Sequence, residues 1–417
     1  MNCGILLAAM EMLEEEEEKK RKIHRSPRYW VSPYLKERNQ KGRFVTNFTN
    51  LQSAPFLFSE NFHMPPAIFD ELYKLLLSHL LSKRNTRPND FIPSKAKLAI
   101  VLEYLASGDL QRHLAFCYRI SKQHFGRIID HVCEAICTTL QNEVPRWNQE
   151  MLSEVADGFR NEWNFPNCVG AIDGKHVNII APANSGSIFY NYKGFHSIVV
   201  LATCDAYYKF TYLDIGAYGS EGDCNIFKNS KIGISVVNDT CPFPPEAHVD
   251  GKKLAHFIVA DDAFPLSKRI LKPFNSKPIL PEQRIFNYRL SRARRCIENA
   301  FGILSAKWFC LKKTLFCSPA RAQKIVSACC LLHNFLLNKN QRNYCPTSFS
   351  EYEDSDGNWV DGEWEASEHR EGSLMQSDLS AYHGRSSDYG KYIQRMLTEY
   401  VNSATGSVPW QNRAAFL

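Results

Sequence analysis

The sequence predicts an α/β fold, a mixed sheet flanked by helices, preceded by an all-α, helix-turn-helix-like domain. Two observations carry this prediction. Apolar residues recur at helical spacing through residues 61–150, whereas β-branched and aromatic runs alternate with helical segments through residues 165–340. A chain of 417 residues is also long enough for two or three domains with sizeable hydrophobic cores.

Residues 1–60 are predicted to form a charged arm that is partly disordered. The chain opens with a short apolar run that lacks a basic segment, and the acidic run Glu14–Glu18 follows, which is not the pattern of a signal peptide. No apolar stretch reaches the roughly 18 residues that a membrane span needs. The basic run Lys19–Lys22 predicts a nuclear address or, equally, a solvated charge run. The predicted location is the nucleus, with the cytoplasm left open.

Charge and cysteine content add little about partners. The formal net charge of +6 is only mildly basic and by itself is weak support for nucleic-acid binding. The 14 cysteines are scattered without a CxxC pair, and several lie in apolar runs. This usage predicts buried free thiols in a reducing compartment rather than disulfides or a zinc site.

Residues 61–150 are predicted to be helical and helix-turn-helix-like. A short helix, a tight turn and a longer helix follow one another, with Ser121 as a suitable N-cap for the longer helix. The first turns of that helix would present polar side chains to DNA, namely Lys122, Gln123 and Arg127. A plain helical bundle with a solvated face is the alternative.

Residues 165–340 predict the sheet. The run GAIDGKHVNIIA is the first strand, and FHSIVVLATCDAYYKF supplies two more, with a hairpin-like break at Asp205 and Ala206. A helix follows the turn GSEGD, HFIVADDAF is a short buried strand, and a long amphipathic helix begins near Arg284. Residues 341–417 are predicted to be an acidic, largely disordered tail with a short C-terminal helix, because nine acids and one arginine lie between Glu351 and Glu371.

Four carboxylates occur at the strand ends and helices of this region: Asp173, Asp223, Asp261 and Glu298. A mixed sheet with this order of elements gathers such side chains at one edge. Carboxylates gathered there repel one another, and at least one must bind a proton unless a cation neutralises them. Two Mg²⁺ ions roughly 3.5–4 Å apart would relieve the repulsion and clamp the attacking and leaving oxygens of a phosphodiester. Such oxygen ligands favour Mg²⁺ or Mn²⁺ over zinc.

Four linked stretches resemble PIF/Harbinger-type DDE transposases and the Harbinger transposase-derived nucleases of animals. They are WNFPNCVGAIDGKHV, SGSIFYNYKGFHSIVVLATCDAYYKF, VADDAFPL and IFNYRLSRARRCIENAFGIL. The resemblance implies an RNase H-like catalytic domain for residues 165–340. It also implies that Asp173, Asp261 and Glu298 are the catalytic acids and metal ligands, with Asp223 as a further metal ligand.

Each site residue has an alternative interpretation. Glu298 could be a surface acid paired with Arg294 or Arg295. Asp262 could support a metal ligand without binding the metal itself, or it could cap the following turn. Residues that could contact nucleic acid by charge or stacking, or could simply pack, are Tyr190, Tyr192, Lys193, Arg289, Arg292, Arg294 and Arg295. From this set, Lys193, Arg292 and Arg295 are predicted to bind nucleic acid.

The predicted function is a metal-dependent nuclease of transposase origin that hydrolyses DNA phosphodiester bonds by a two-metal DDE mechanism. The alternative is a domesticated, catalytically silent DNA- or chromatin-binding protein acting with a partner. The resemblance also implies a Myb-like DNA-binding partner protein, since no Myb-like tryptophan spacing is present in this chain. A homo-oligomer remains open, and no membrane partner is predicted.

Overall fold

The protein is described here by a computed structural model that covers residues 31–81, 91–275, 277–346, 348–354, 358–366 and 387–416. The runs Glu14–Glu18 and Lys19–Lys22 lie outside these residues, so the predicted nuclear address is untested. Within the described ranges, no helix is both long enough and apolar enough to cross a membrane. The cysteines in these ranges are free thiols.

The first half of the chain is helical. Its helices are α1 Pro33–Lys36, α2 Arg38–Lys41, α3 Thr49–Gln52, α4 Pro55–Phe62, α5 Pro66–Leu80, α6 Ser94–Ser107, α7 Gln111–Cys117, α8 Lys122–Thr139 and α9 Gln149–Trp163, with a π-helical turn at Phe44–Phe48 and a 3₁₀ turn at Gln141–Glu143. Glycine is a common helix stop in sequence, and Gly108 adopts the left-handed conformation (φ 60°) that ends α6.

Residues 31–60 differ from the predicted charged arm. They form α1 to α4, and Phe58 on α4 is fully buried against Phe48 and Phe69. These rings belong to the same continuous core as the helices and sheet of the second half of the chain. The prediction missed this packing because it averaged residues 1–60, whose charges lie almost all before residue 44, whereas residues 44–59 contain no charged side chain.

The predicted short helix, turn and longer helix are α7, residues 118–121 and α8. Ser121 caps α8 as expected, since its Oγ accepts a hydrogen bond from the His124 backbone N–H at 3.3 Å. Lys122, Gln123 and Arg127 are exposed on α8. Arg119, in contrast, is tied to the protein itself, with its guanidinium 3.9 Å from the Tyr34 ring centre and 2.9 Å from Glu37 Oε2.

The second half of the chain is built on a five-stranded mixed sheet. Its strands are β1 Cys168–Asn178, β2 Ser197–Cys204, β3 Phe210–Tyr218, β6 Phe257–Val259 and β7 Ile270–Leu271, arranged in the order β3-β2-β1-β6-β7. The first three strands are antiparallel, while β6 and β7 run parallel to β1. A separate hairpin of β4 Ala247–Val249 and β5 Lys252–Leu254 lies between β3 and β6 along the chain.

Helices cover both faces of the sheet. The long helices α12 Pro281–Lys307 and α13 Pro319–Tyr344 pack on one face within the main core. The short helices α10 Asp223–Asn229 and α11 Lys231–Val237 pack on the other face, where a smaller core contains Ile172 and Leu201. Because side chains alternate along β1, Asp173 and Val177 point toward the α12 face, and Gly174 and His176 toward the α10 face.

The described part of the predicted disordered tail is ordered and packed. It contains β8 Tyr352–Glu353, β9 Trp359–Val360, α14 Glu363–Ala366, α15 Asp388–Val401 and α16 Gln411–Phe416. Trp364 is buried against Gly302 of α12, and Arg289 of α12 donates to the carbonyl oxygen of Gly406 at 2.9 Å. Few apolar residues are enough to pack this segment, because they lie against the surface of α12. Residues 367–386 lie outside the described ranges.

Candidate active site

The candidate site begins where strand β6 ends. Pairing of β1 with β6 stops at Ala171 and Val259, whereas pairing of β1 with β2 continues to Asn178. From Ile172 onward, β6 therefore no longer covers this edge of β1, which Leu315 pairs with again at Ile179. Asp173 lies at this step and accepts a hydrogen bond from the Gly174 backbone N–H at 2.8 Å.

Asp261 follows β6 and lies at the same place, where the pairing of β6 with β1 has ended. Its Oδ1 accepts the Ala263 backbone N–H at 3.0 Å, which orients the carboxylate in the turn after the strand. The neighbouring acid Asp262 is engaged differently. It pairs with the buried Lys272 at 2.8 Å and accepts two hydrogen bonds from the Asn275 amide. Asp262 thus ties the ends of β6 and β7 together and is not positioned as a ligand.

Asp223 approaches β1 from the opposite face of the sheet. It is the first residue of α10, it is almost fully buried, and its carboxylate lies directly over the Cα of Gly174. A Cβ atom at residue 174 would lie only 2.3 Å from Asp223 Oδ1. Glycine is therefore required at this position, because any side chain would displace the Asp223 carboxylate.

Glu298 projects from the middle of α12 toward the site, and Arg294 lies one turn before it. The Arg294 Nη2 atom is 2.6 Å from Glu298 Oε1. Both side chains are largely buried, with 24% of Arg294 and 15% of Glu298 exposed. The Arg294 pairing considered as an alternative for Glu298 is therefore present, but inside the site rather than on an open surface.

The electrostatics show that the four acids converge. Burial, and then the charge of Asp223, raise the pKa of Asp173 to about 8, with further contributions from Asp261 and Glu298. Burial also raises the pKa of Asp261, although Arg294 and the Ala263 N–H oppose this. For Arg294, burial lowers the pKa, but Glu298, Asp173 and Asp261 together raise it above its ordinary value. Arg294 is thus the cation that these acids share.

The donor chemistry of this site fits a hard divalent cation, but the acids do not form a ready-made cage. Among the residues that the structure describes, no three His, Cys, Asp or Glu side chains are arranged to hold a metal ion. The ion pair with Arg294 is the physical reason, because the guanidinium already occupies an oxygen of the Glu298 carboxylate. Burial first, and then the neighbouring acids, raise the pKa of Asp173, and a bound Mg²⁺ or Mn²⁺ would favour its charged form again.

Comparison with protein families places this site in a known context. Residues 172–334 match the family described as DDE superfamily endonuclease, and all four acids lie inside the matched segment. The predicted resemblance is confirmed. The expected enzyme class, a nuclease, is supported at the level of this endonuclease domain.

Several curated proteins resemble the chain over most of its length. The protein named "Putative nuclease HARBI1" from Xenopus laevis is 27% identical over 66% of this chain and 76% of its own length. Its Homo sapiens counterpart is 27% identical over 63% of this chain and 72% of its own length. The Arabidopsis thaliana protein named "Antagonist of like heterochromatin protein 1" is 24% identical over 68% and 73%. No solved structure matches the chain.

The arginines predicted to contact DNA from α12 of the endonuclease domain are occupied by the protein itself. Arg292 is 4% exposed and pairs with Glu353 at 2.8 Å, so its predicted role in nucleic-acid binding is wrong. Arg295 pairs with Glu351 at 2.7 Å and stacks 3.8 Å from the Trp359 ring centre. The acidic segment predicted as disordered thus supplies glutamates that pair with both arginines, and DNA binding by Arg295, whose side chain is 30% exposed, stays a prediction.

Sequence reasoning missed two features of the site. In the sequence, Arg294 is one of several arginines close together on the predicted long helix. Only the orientation of α12 shows that Arg294 faces the acids. The requirement for Gly174 was also missed, because it depends on α10 packing over β1 from the other face. The spacing Arg294-x-x-x-Glu298 on one predicted helix was the available signal for the first feature, since residues four apart are neighbours on a helix.

Proposed function

We propose that this protein is a metal-dependent nuclease of transposase origin that hydrolyses DNA phosphodiester bonds. One observation carries the proposal: Asp173, Asp223, Asp261 and Glu298 converge at the step where β6 ends, inside the segment that matches an endonuclease family. The arrangement fits an RNase H-like domain, with the first acid in the first strand, another just after the fourth strand of the sheet, and the glutamate in a later helix.

Asp173, Asp261 and Glu298 would hold Mg²⁺ or Mn²⁺, with Asp223 adjoining them. When bound, two such cations supply Lewis acidity at the attacking and leaving oxygens of the phosphodiester. The chain contributes orientation. The N–H groups of Gly174 and Ala263 fix the Asp173 and Asp261 carboxylates before substrate arrives, so little reorganisation is needed during the reaction.

DNA would reach this site across the exposed polar residues of α8. Lys122 and Arg127 are solvent-exposed there, and phosphate contacts by such side chains position a duplex without reading its sequence. The all-α region as a DNA-binding domain, a nuclear location, a Myb-like partner and a homo-oligomer belong to this proposal as well. The N-terminal helices share one continuous core with α12 and α13, which supports coupling of the all-α region to the region that carries the acids.

The test is nicking of supercoiled plasmid DNA by the full chain in Mg²⁺ or Mn²⁺, compared with the same reaction in EDTA. We expect cleavage by the wild type and none by Asp173→Ala. The alternative, a silent DNA- or chromatin-binding protein, is favoured by the printed name of the plant relative. If neither protein cleaves while both bind DNA equally well, that alternative is the correct one.

Gly174→Ala is expected to reduce metal-dependent cleavage by roughly 10–100-fold, the scale found when a ligand's support is disturbed. The added methyl group would lie in the volume that the Asp223 carboxylate fills, so Asp223 must move away from Asp173. The measurement is the initial nicking rate in Mn²⁺.

A double variant provides the control for Gly174→Ala. In an Asp223→Ala background the same change has no carboxylate to displace, and the two effects should not add. Full additivity of the two losses would contradict a role for Gly174 in placing Asp223.

A further inference from the structure

The segment between β1 and β2 forms an exposed aromatic surface beside the candidate site. We call residues 187–196 the tyrosine loop. Tyr190 and Tyr192 on this loop are 48% and 52% exposed. Lys193 Nζ lies 5.5 Å from the centre of the Tyr192 ring, so a cation borders the aromatic face.

The tyrosine loop is rigidly built. Asn191 is almost fully buried, and its amide donates to Ser197 Oγ at 2.9 Å. The Asn191 Oδ1 atom accepts the backbone N–H groups of Lys193 at 3.0 Å and Phe195 at 3.2 Å. One buried side chain thus holds the loop closed while the neighbouring tyrosines face outward. Exposure of Tyr190 and Tyr192 is therefore imposed by the loop conformation.

The same loop is attached to the elements that carry the acids. The Tyr192 ring contacts the His176 ring edge-on, with the ring centres 6.0 Å apart. His176 points to the same face of β1 as Gly174, and two residues along a strand span roughly 7 Å. In addition, Ser220 Oγ donates to the Ile188 carbonyl at 2.8 Å, which joins the loop to the turn before Asp223. Tyr192 is therefore linked to the position of Asp223 through His176 and Gly174 on one face of β1.

The charge around the tyrosine loop suits a polyanion. Between Asp173 and Asp205 the sequence contains no acidic residue, whereas it contains Lys175 and Lys193. Both lysines lie close to His176, since after burial their charges are the causes that lower its pKa to about 4. A surface that combines lysines with exposed tyrosines matches the surfaces on which successive bases of an unpaired strand stack. Paired bases in a duplex do not present their faces in this way.

We propose that the tyrosine loop binds unpaired DNA next to the scissile phosphate, with a base stacked on Tyr192 and the adjoining phosphate held by Lys193. This inference rests on the proposed nuclease function and deepens it, because it names the substrate as DNA that is single-stranded or locally opened beside the cleavage point. The loop would hold that strand in register with the acids, so Tyr192 is a positioning residue rather than a catalytic one.

The experiment measures binding in EDTA, so that it does not depend on cleavage. The full chain is titrated into a fluorescently labelled forked DNA with a short single-stranded arm, and into a blunt duplex of the same paired sequence. We expect Tyr192→Ala to bind the forked DNA about tenfold more weakly than the wild type, within the range found when a stacking residue is removed. Binding of the blunt duplex should be unchanged.

Two further variants make the result specific. Tyr192→Phe keeps the ring and should restore forked-DNA binding to within about twofold of the wild type. Tyr207→Ala removes a tyrosine that is 43% exposed at the β2–β3 turn and should leave binding unchanged. A 2-aminopurine in the single-stranded arm should lose fluorescence on binding the wild type but not Tyr192→Ala.

The base-stacking proposal and the nuclease proposal would be contradicted by different results. If Tyr192→Ala binds forked DNA as tightly as the wild type, or if Tyr192→Phe is as weak as Tyr192→Ala, the tyrosine loop is not a base-stacking surface, and the nuclease proposal stands. If instead stacking is observed but the wild type and Asp173→Ala do not differ in cleavage, the nuclease proposal fails while the binding surface remains.

Discussion

Asp261→Asn is expected to lower metal-dependent DNA cleavage by at least about a thousandfold, the upper end of losses found when one preorganised charge-stabilising group is removed. The change removes a full negative charge from the point where β6 ends beside Asp173. It should not destabilise the protein in EDTA. Burial raises the pKa of Asp261 in the folded state, so this carboxylate is not a net source of folding free energy.

Asp262, the adjacent residue, provides a matched control, because its substitution should affect stability more than cleavage. Asp262→Asn should keep cleavage within roughly 10- to 100-fold of the wild type, as for residues that only support ligands. It should, however, lower the free energy of unfolding by roughly 3 kcal/mol, because Lys272 would keep a buried charge without its partner. Plasmid nicking in Mn²⁺ and urea unfolding in EDTA measure the two effects. Loss of cleavage in Asp262→Asn equal to that in Asp261→Asn would transfer the ligand role to Asp262.

Arg294→Gln is expected to weaken the metal-free protein and strengthen metal binding at the same time. Without the guanidinium, Glu298, Asp173 and Asp261 lose their common counter-charge, and breaking a largely buried ion pair costs roughly 3–5 kcal/mol. The same change releases the Glu298 carboxylate for a divalent cation. Thermal unfolding in EDTA and in Mn²⁺ should therefore show a lower midpoint without metal and a larger metal-induced rise than in the wild type.

Arg295→Gln serves as the neighbouring control, since Arg295 contacts Glu351 and Trp359 on another side of the helix. It should lower stability to a similar extent with and without Mn²⁺. Direct titration of Mn²⁺ by electron paramagnetic resonance gives affinity independently of cleavage. Weaker Mn²⁺ binding by Arg294→Gln than by Arg295→Gln would refute competition between Arg294 and the metal.

The pH dependence of stability follows from Asp173 and provides a further readout on Arg294→Gln. The folded-state pKa of about 8 lies above the ordinary value near 4, so between these pH values the folded protein binds a proton that the unfolded chain does not. Stability in EDTA therefore falls as pH rises through this window. Arg294 lowers the pKa of Asp173, so in Arg294→Gln the fall should extend to higher pH than in the wild type.

Much of the fold could be predicted because local signals agreed with one another. The helix ending at Gly108, the N-cap at Ser121 and the break between β2 and β3 depend on short-range chemistry, and each is present in the structure. The first and last segments were predicted less well. Trp364 lies in charged surroundings along the chain, and its burial depends on a surface supplied by the distant helix α12. Phe58 is buried by rings on neighbouring helices, whose packing the sequence pattern does not show.

The functional acids show the same division. Their residue types and order along the chain indicated Asp173, Asp261 and Glu298, because strand ends and helix faces are local properties. The arginines of α12 could not be separated in this way. Arg292, Arg294 and Arg295 are near neighbours in sequence, yet one faces the acids and two pair with glutamates from the C-terminal segment.

The sequence by itself determined the order of the strands and helices, the four carboxylates, and the basic aromatic segment between β1 and β2, because each is written in residues close together along the chain. Only the tertiary structure decided that Asp223 rests on Gly174, that Arg294 serves as the counter-charge of the site, and that Tyr192 lies beside it. These are contacts between opposite faces of a sheet and between distant elements. Their free energies depend on distance in space, which residue spacing does not specify.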